Sequence, residues 1–317
     1  MGRCTSLETI DLSYNAFAGI IPDSLFRLPR LANLLLLDNN LSGEIPRDVG
    51  TCSSLIRFRA NRNRISGTLP KEIGMLRRLR FLDLSSNHLS GLIPPEISTS
   101  YNLTFVDLHS NSLTGSIPQD IFQGLNSIQY LDLSNNLLSG PIPSQLGLLT
   151  SLTKLLLNGN RFSGQVPVEI GSCTRLQLLD LGGNMLAGKI PPSIGNIPGL
   201  EIMLNLSSND LCGEIPPEFA GLSRLSILDL SHNRLTGDLH LLSALQNLVA
   251  LNISFNNLSG AVPNTTFLSK LPLADLEGNP ALCVTGCLSS EQSGSRMSQR
   301  AAQIATAVLL SATVALL

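Results

Sequence analysis

Residues 57 to 64 read RFRANRNR, four arginines in eight positions of a 317-residue chain whose charge is otherwise almost balanced, 21 Lys+Arg against 23 Asp+Glu. A guanidinium is a planar, permanently charged fork of donors, and two on one backbone face can grip a single carboxylate from both sides. Arg57 and Arg59 alternate with Phe58 and Ala60. In a strand this alternation puts both arginines on one side, about 7 Å apart, and both apolar residues on the other. The same charges have plainer uses. Asp83 lies 24 residues after Arg59, Phe81 lies 24 after Arg57, and Asp38 lies 24 before Arg62. In a structure repeating at that distance, Arg59 and Arg62 would form exposed ion pairs worth roughly 0 to 1 kcal/mol. Arg57 would lie over an aromatic ring, and Arg64 would fall past the strand, on the rim. On spacing alone, ligand and surface pairing both stay open.

One further constellation invites a chemical reading. Ser85, His109 and Asp132 could be drawn as nucleophile, base and acid across neighbouring strands. Residues of these kinds recur through the chain's own repeated wording, and nothing in the pattern would enclose them, so no catalytic site is assigned. No metal or cofactor site is read either. The near-neutral composition, with ten Phe, three Tyr and no Trp, excludes a general nucleic-acid binder.

The elements that position these residues come from a repeat close to 24 residues long. LETIDLSYNAFAGIIP, LRFLDLSSNHLSGLIP and LTKLLLNGNRFSGQVP are versions of LxxLxLxxNxLSGxIP. Its asparagine falls at Asn15, Asn39, Asn63, Asn87, Asn111, Asn136, Asn160, Asn184, Asn209, Asn233 and Asn256, and a degenerate last copy carries Asn279. Leu alternates with polar residues in LDLS, which predicts a short strand with one buried face. One repeat cannot bury its own Leu residues, so repeats stack and the core becomes a continuous column. The asparagine is expected inside, bonding backbone groups of its own and the adjacent coil, and SGxIP turns the chain. The prediction is an α/β solenoid, a curved right-handed superhelix with one concave parallel sheet of eleven strands, roughly 50 Å long.

This is the leucine-rich-repeat pattern, and its LSGxIP half resembles the plant form. LEIMLNLSSNDLCGEIP, LDLSHNRLTGDLHLLSALQNLVALNISFNNLSG and LADLEGNPALC resemble the C-terminal part of the ectodomains of plant leucine-rich-repeat receptor kinases that bind peptide hormones, most closely the root meristem growth factor receptors. The resemblance implies that RFR corresponds to an RxR motif holding the free C-terminal carboxylate of a secreted peptide. Arg57 and Arg59 are then the anchor, and Asn33, Leu35, Phe81 and Asp83 line the groove around it. It implies a co-receptor leucine-rich-repeat kinase meeting the later repeats, and a repeat domain outside the plasma membrane. The family closes its solenoid with a disulfide, here between Cys283 and Cys287, with zinc disfavoured because no second ligand pair is near. The kinase itself has no counterpart in the chain.

The four and six positions before each asparagine are read as the exposed faces of the strands. The first series includes Asp11, Leu35, Arg59, Asp83, Asp107, Asp132 and Asp180; the second includes Asn33, Arg57, Phe81, Phe105, Tyr130 and Lys154. The aspartates are expected to stay solvated, so the arginines that interrupt them stand out.

The solenoid is assigned to residues 1–265, a cap to 266–288, a polar spacer to 289–300, and the start of a truncated transmembrane helix to 301–317, with a GPI signal as the alternative reading of the tail. Met1 falls in mid-pattern, which reads as a fragment or truncated product lacking its signal peptide. Cys4, Cys52 and Cys173 share one repeat register and are expected as small buried side chains. Asn40, Asn102, Asn257 and Asn264 are glycosylation candidates, whereas Asn205 and Asn252 would put a glycan on the concave strands. Beside the receptor reading stand a kinase-less receptor-like or wall-associated defence protein and a decoy fragment.

Overall fold

The computed structural model of the chain describes residues 4–283. Eleven three-residue strands, Thr9–Asp11 through Ala250–Asn252, pair in parallel in chain order. The register carries each repeat onto the next: Asn33 pairs with Arg57, Arg57 with Phe81, and Arg59 with Asp83. The middle residue of each strand points inward, so Leu34, Phe58, Leu82, Leu155 and Leu204 are fully buried in one continuous Leu/Ile core.

The expected single sheet is joined by another. The LSG halves form short strands such as Arg64–Thr68 and His88–Gly91, and ten of these make a second parallel sheet. SGxIP was expected only to turn the chain. It also pairs because each repeat's amide and carbonyl groups meet their equivalents in the next coil, and the glycine turns out of the strand afterwards, as at Gly67 with φ +77°. The helical part of the expected α/β fold is slight. Nearly every convex connection is a 3-10 segment such as Lys71–Met75, and among the described residues the only α-helix is Gln119–Gly124. It lies in the gap from Asn111 to Asn136, one residue longer than its neighbours, and the extra residue allows the wider turn.

The repeated asparagines are inside, as expected. Asn136 donates from Nδ2 to the carbonyls of Leu108, Leu133 and Ser134 and accepts from the Leu113 amide through Oδ1. Asn279 in the degenerate last copy makes the same set, to Ile253, Leu276, Glu277 and Leu258, so the ladder runs to the end of the described chain. The residue before each asparagine takes left-handed backbone, including bulky residues such as Arg62, His232 and Phe255. Gly159, Gly183, Gly278, Asn135 and Asp38 suit that conformation at the same position, but the other residues there do not announce it.

Cys52 and Cys173 are buried, with Sγ near the carbonyls of Leu31 and Leu146, and burial pushes both thiols up to about 11. Cys4 departs from the expectation: it is exposed, because among the described residues no coil packs over it. Cys287, the polar spacer and the apolar tail lie outside the described residues, so the Cys283 to Cys287 bond and the membrane segment are not placed. No helix among the described residues is long and apolar enough to cross a membrane.

Candidate functional site on the concave sheet

Arg57 and Arg59 both face the concave side, on either end of a strand whose central Phe58 is fully buried. Phe81 on the next strand serves both, with the guanidinium carbons 5.0 Å and 5.4 Å from its ring centroid. The cation–π contact expected for Arg57 is therefore shared. Arg59 reaches Asp83, Nη2 to Oδ2 3.4 Å, and the side chains are only 15% and 6% exposed. This corrects the expectation of a solvent-screened pair. Arg59 Nε is buried without a partner, and among the described residues Arg57 has no acidic partner within ion-pair distance. Arg62 does meet Asp38 at 3.7 Å, well exposed at 61% and 29%, and Arg64 is exposed at the start of the other sheet. The four arginines thus divide into two that face the groove and two that do not.

The groove residues fall beside the pair. Asn33 is half-buried and donates to Thr9 Oγ1 at 3.1 Å, and Leu35 stands directly beside Arg59 in register. On the other side a cleft of about 300 Å³ opens between Arg57, Arg80, Phe81, Thr104, Phe105 and Tyr130. Its wall is an aromatic stack built from outward strand positions of successive repeats. Phe81 and Phe105 lie 3.9 Å apart, and Phe105 and Tyr130 4.4 Å apart, with nearly parallel planes. The signal was the run of aromatics at one position of three successive repeats. The column continues through Leu156, Leu178, Met203 and Ile227 as a separate buried apolar cluster. Positions read as exposed are therefore closed over by their neighbours, and burial pulls Lys154 down among them.

Four of the aspartates are likewise not solvated, whereas Asp11 is exposed as expected. Asp83, Asp107, Asp132 and Asp180 are 4 to 5% exposed. Strands of three residues about 4.8 Å apart crowd each carboxylate between its neighbours, and most are fixed by the residue two positions on. Asp132 Oδ1 accepts from the Ser134 amide at 2.9 Å and its hydroxyl at 2.6 Å, and Asp83 is held by Ser85 in the same way. Burial pushes all four up despite these bonds, Asp180 to about 7.

The Ser85, His109, Asp132 trio does not assemble, because the Ser85 hydroxyl is spent on Asp83. His109 instead lies between two acids, Nδ1 being 2.7 Å from Asp107 Oδ1 and 3.8 Å from Asp132 Oδ2. Its other nitrogen faces Ser86 Oγ at 3.5 Å. Burial pulls the imidazole down, but the Asp107 hydrogen bond and the surrounding carboxylates outweigh it and lift His109 to about 9.

Two models of the leucine-rich repeat match the chain, one over residues 101–162 and the other over 6–28, 78–100, 175–197, 202–222 and 224–245. Together they take in more than half of it. The repeat domain superposes on a plant peptide hormone receptor, RGFR1, solved in complex with RGF2, at TM-score 0.87 and 51% identity over 90% of this chain and 45% of that one. It also matches the Arabidopsis receptor kinase HAESA in complex with the peptide hormone IDA and the co-receptor SERK1, at TM-score 0.61 and 27% identity, covering 92% and 64%. Among curated proteins, a 47-residue stretch is 49% identical to the LRR receptor-like serine/threonine-protein kinase RGI1 of Arabidopsis thaliana, 15% of this chain and 4% of that protein. The chain thus spans less than half the length of RGFR1 and a small part of RGI1.

Proposed function

Because the chain belongs to the leucine-rich-repeat family, in the plant form that receptor-kinase ectodomains carry, we propose that its concave sheet holds the free C-terminal carboxylate of a secreted peptide between Arg57 and Arg59. The observation that carries this reading is the state of the two guanidiniums. One has no acidic partner among the described residues, and the other keeps an unspent Nε beside Asp83. Both are steadied by Phe81, so little side-chain freedom remains to be lost when a carboxylate arrives. The complexes of RGFR1 and HAESA with peptide hormones support the substrate class.

In this reading Asn33 and Leu35 contact the last peptide residues, and the later repeats meet a co-receptor kinase, as the HAESA complex with SERK1 suggests. The repeats lie outside the plasma membrane, the apolar tail at 301–317 anchors the chain, and Cys283 and Cys287 close the cap. Glycans occupy Asn257 and Asn264, which are exposed, and Asn40 and Asn102, which are half-exposed. With two coils on the amino-terminal side of the clamp, this chain alone binds the peptide weakly or not at all; a submicromolar affinity measured by calorimetry would overturn that.

The test of the clamp uses an ectodomain extended by amino-terminal repeats to the length of its relatives. Arg57→Ala and Arg59→Ala should each weaken a free-acid peptide by at least about tenfold, in keeping with loss of a charge-assisted bond, while Arg64→Ala leaves binding unchanged. Amidating the peptide's C-terminus should reproduce the loss in the unmutated protein. Equal binding of acid and amide would sink the carboxylate reading.

A further inference from the structure

We propose that Asp107, His109 and Asp132 form a divalent-cation site of the zinc type on the concave sheet, two strands beyond the arginine pair. One oxygen from each aspartate and the imidazole Nδ1 lie within 4.8 Å of one another. The two aspartates end adjacent strands in parallel register, Asp107 opposite Asp132, and His109 follows two residues after Asp107, so the backbone brings the three together. Zinc bonds of about 2.0 to 2.2 Å to nitrogen and oxygen put tetrahedral ligand atoms roughly 3.3 Å apart. The observed separations of 2.7 Å and 3.8 Å straddle that value, and the two aspartate oxygens lie within 4.8 Å of each other.

The surroundings have the character of a supporting shell. The Tyr130 hydroxyl donates to Asp132 Oδ2 at 3.1 Å, and Asp132 Oδ1 is fixed by Ser134. Such bonds orient ligating carboxylates and leave lone pairs for a metal. His109 is the accessible member, its side chain 33% exposed between acids that are 5% and 7% exposed, which gives an ion a path from solvent. Charge makes the same demand. Four buried carboxylates line up along this face at positions 83, 107, 132 and 180; Arg59 serves the first and His109 the next two. Two buried carboxyl groups converging beside one imidazole in a poorly solvated place offer an arrangement that a divalent cation can occupy. The ion would sit beside the aromatic stack and next to the arginine cleft, outside the clamp itself, and the site stands whether or not the clamp binds a peptide.

The chain as given is titrated with zinc chloride by calorimetry, and metal retained after dialysis is counted by mass spectrometry. One equivalent is expected, with affinity falling at least about tenfold in His109→Gln and in Asp132→Asn. His240→Gln should leave it unchanged; that histidine pairs with Asp238 on the exposed convex side. A melting curve without metal checks that each variant is folded. Independently of any variant, zinc should protect His109 but not His88, His232 or His240 from acylation by diethyl pyrocarbonate. No retained metal, retention undiminished in His109→Gln, or protection of a different histidine overturns the site.

Discussion

Asp180 shows what a single side chain costs this fold. Burial pushes its pKa up to about 7, with neighbouring carboxylates adding to the effect, while the unfolded chain keeps the ordinary value near 4. The folded state then binds the proton more tightly, so this residue's contribution to stability is fully present below pH 4 and is lost as pH rises towards 7. Asn205 and Asn252 occupy the equivalent position with their Oδ1 accepting from Ser207 and Ser254, so the fold already accommodates an amide there. Asp180→Asn should therefore stabilise the protein by on the order of 1 to 3 kcal/mol at pH 7.5 and by little at pH 4. A melting-temperature gain equal at both pH values would contradict the electrostatic cause. The same residue-level view separates the arginines. Their types and the strand alternation were legible, whereas the burial of the Arg59 to Asp83 pair was not, because it depends on how closely neighbouring strands crowd around it.

At the scale of the element, each coil is closed by its asparagine and pressed against the next by its convex turn. Asn136→Ala removes four hydrogen bonds and strands carbonyls and an amide in the core. The cost expected in urea unfolding is about 3 kcal/mol or more, since buried unpaired groups cost about 1 to 3 kcal/mol each. The turns pack more tightly than the repeat wording suggests. A Cβ on Gly74 would stand 2.1 Å from the Glu96 carbonyl oxygen of the next turn, so Gly74→Ala should cost several kcal/mol or prevent folding. By contrast, Gly221→Ala, whose nearest contact is 3.0 Å, should cost clearly less; equal losses would mean turn packing is not the cause. The 25-residue gap at Asn136 was visible as an insertion, but only the folded coil shows it spent on the Gln119–Gly124 helix. The second sheet escaped because LSGxIP reads as a turn, and its pairing arises only between coils.

For the whole molecule, stacking makes each coil depend mainly on its two neighbours. Amide exchange should therefore be slowest in central strands such as Tyr130–Asp132 and faster towards Thr9–Asp11 and Ala281–Cys283. Uniform protection from end to end would show a single cooperative unit instead. Ser259–Ala261 pairs with Ala281–Cys283, and its coil still bonds back to that of Arg234–Thr236 through the Asn257 amide to Leu235 and the Ser259 amide to Gly237, so the hydrogen-bonded stacking reaches the last described coil.

By itself the sequence determined the periodic part of this protein: the number and order of the concave strands, the inward leucines and asparagines, and the facing of Arg57 and Arg59. These follow from alternation and spacing, which are local. The tertiary structure decided everything set by lateral distance between coils. It closed the aspartates and the aromatic column away from water, gave both arginines one ring, and left the Ser85, His109, Asp132 trio unassembled while bringing His109 between Asp107 and Asp132. Those outcomes depend on side chains 24 or 25 residues apart sharing a few ångströms, and spacing fixes which of them meet but not how closely they pack.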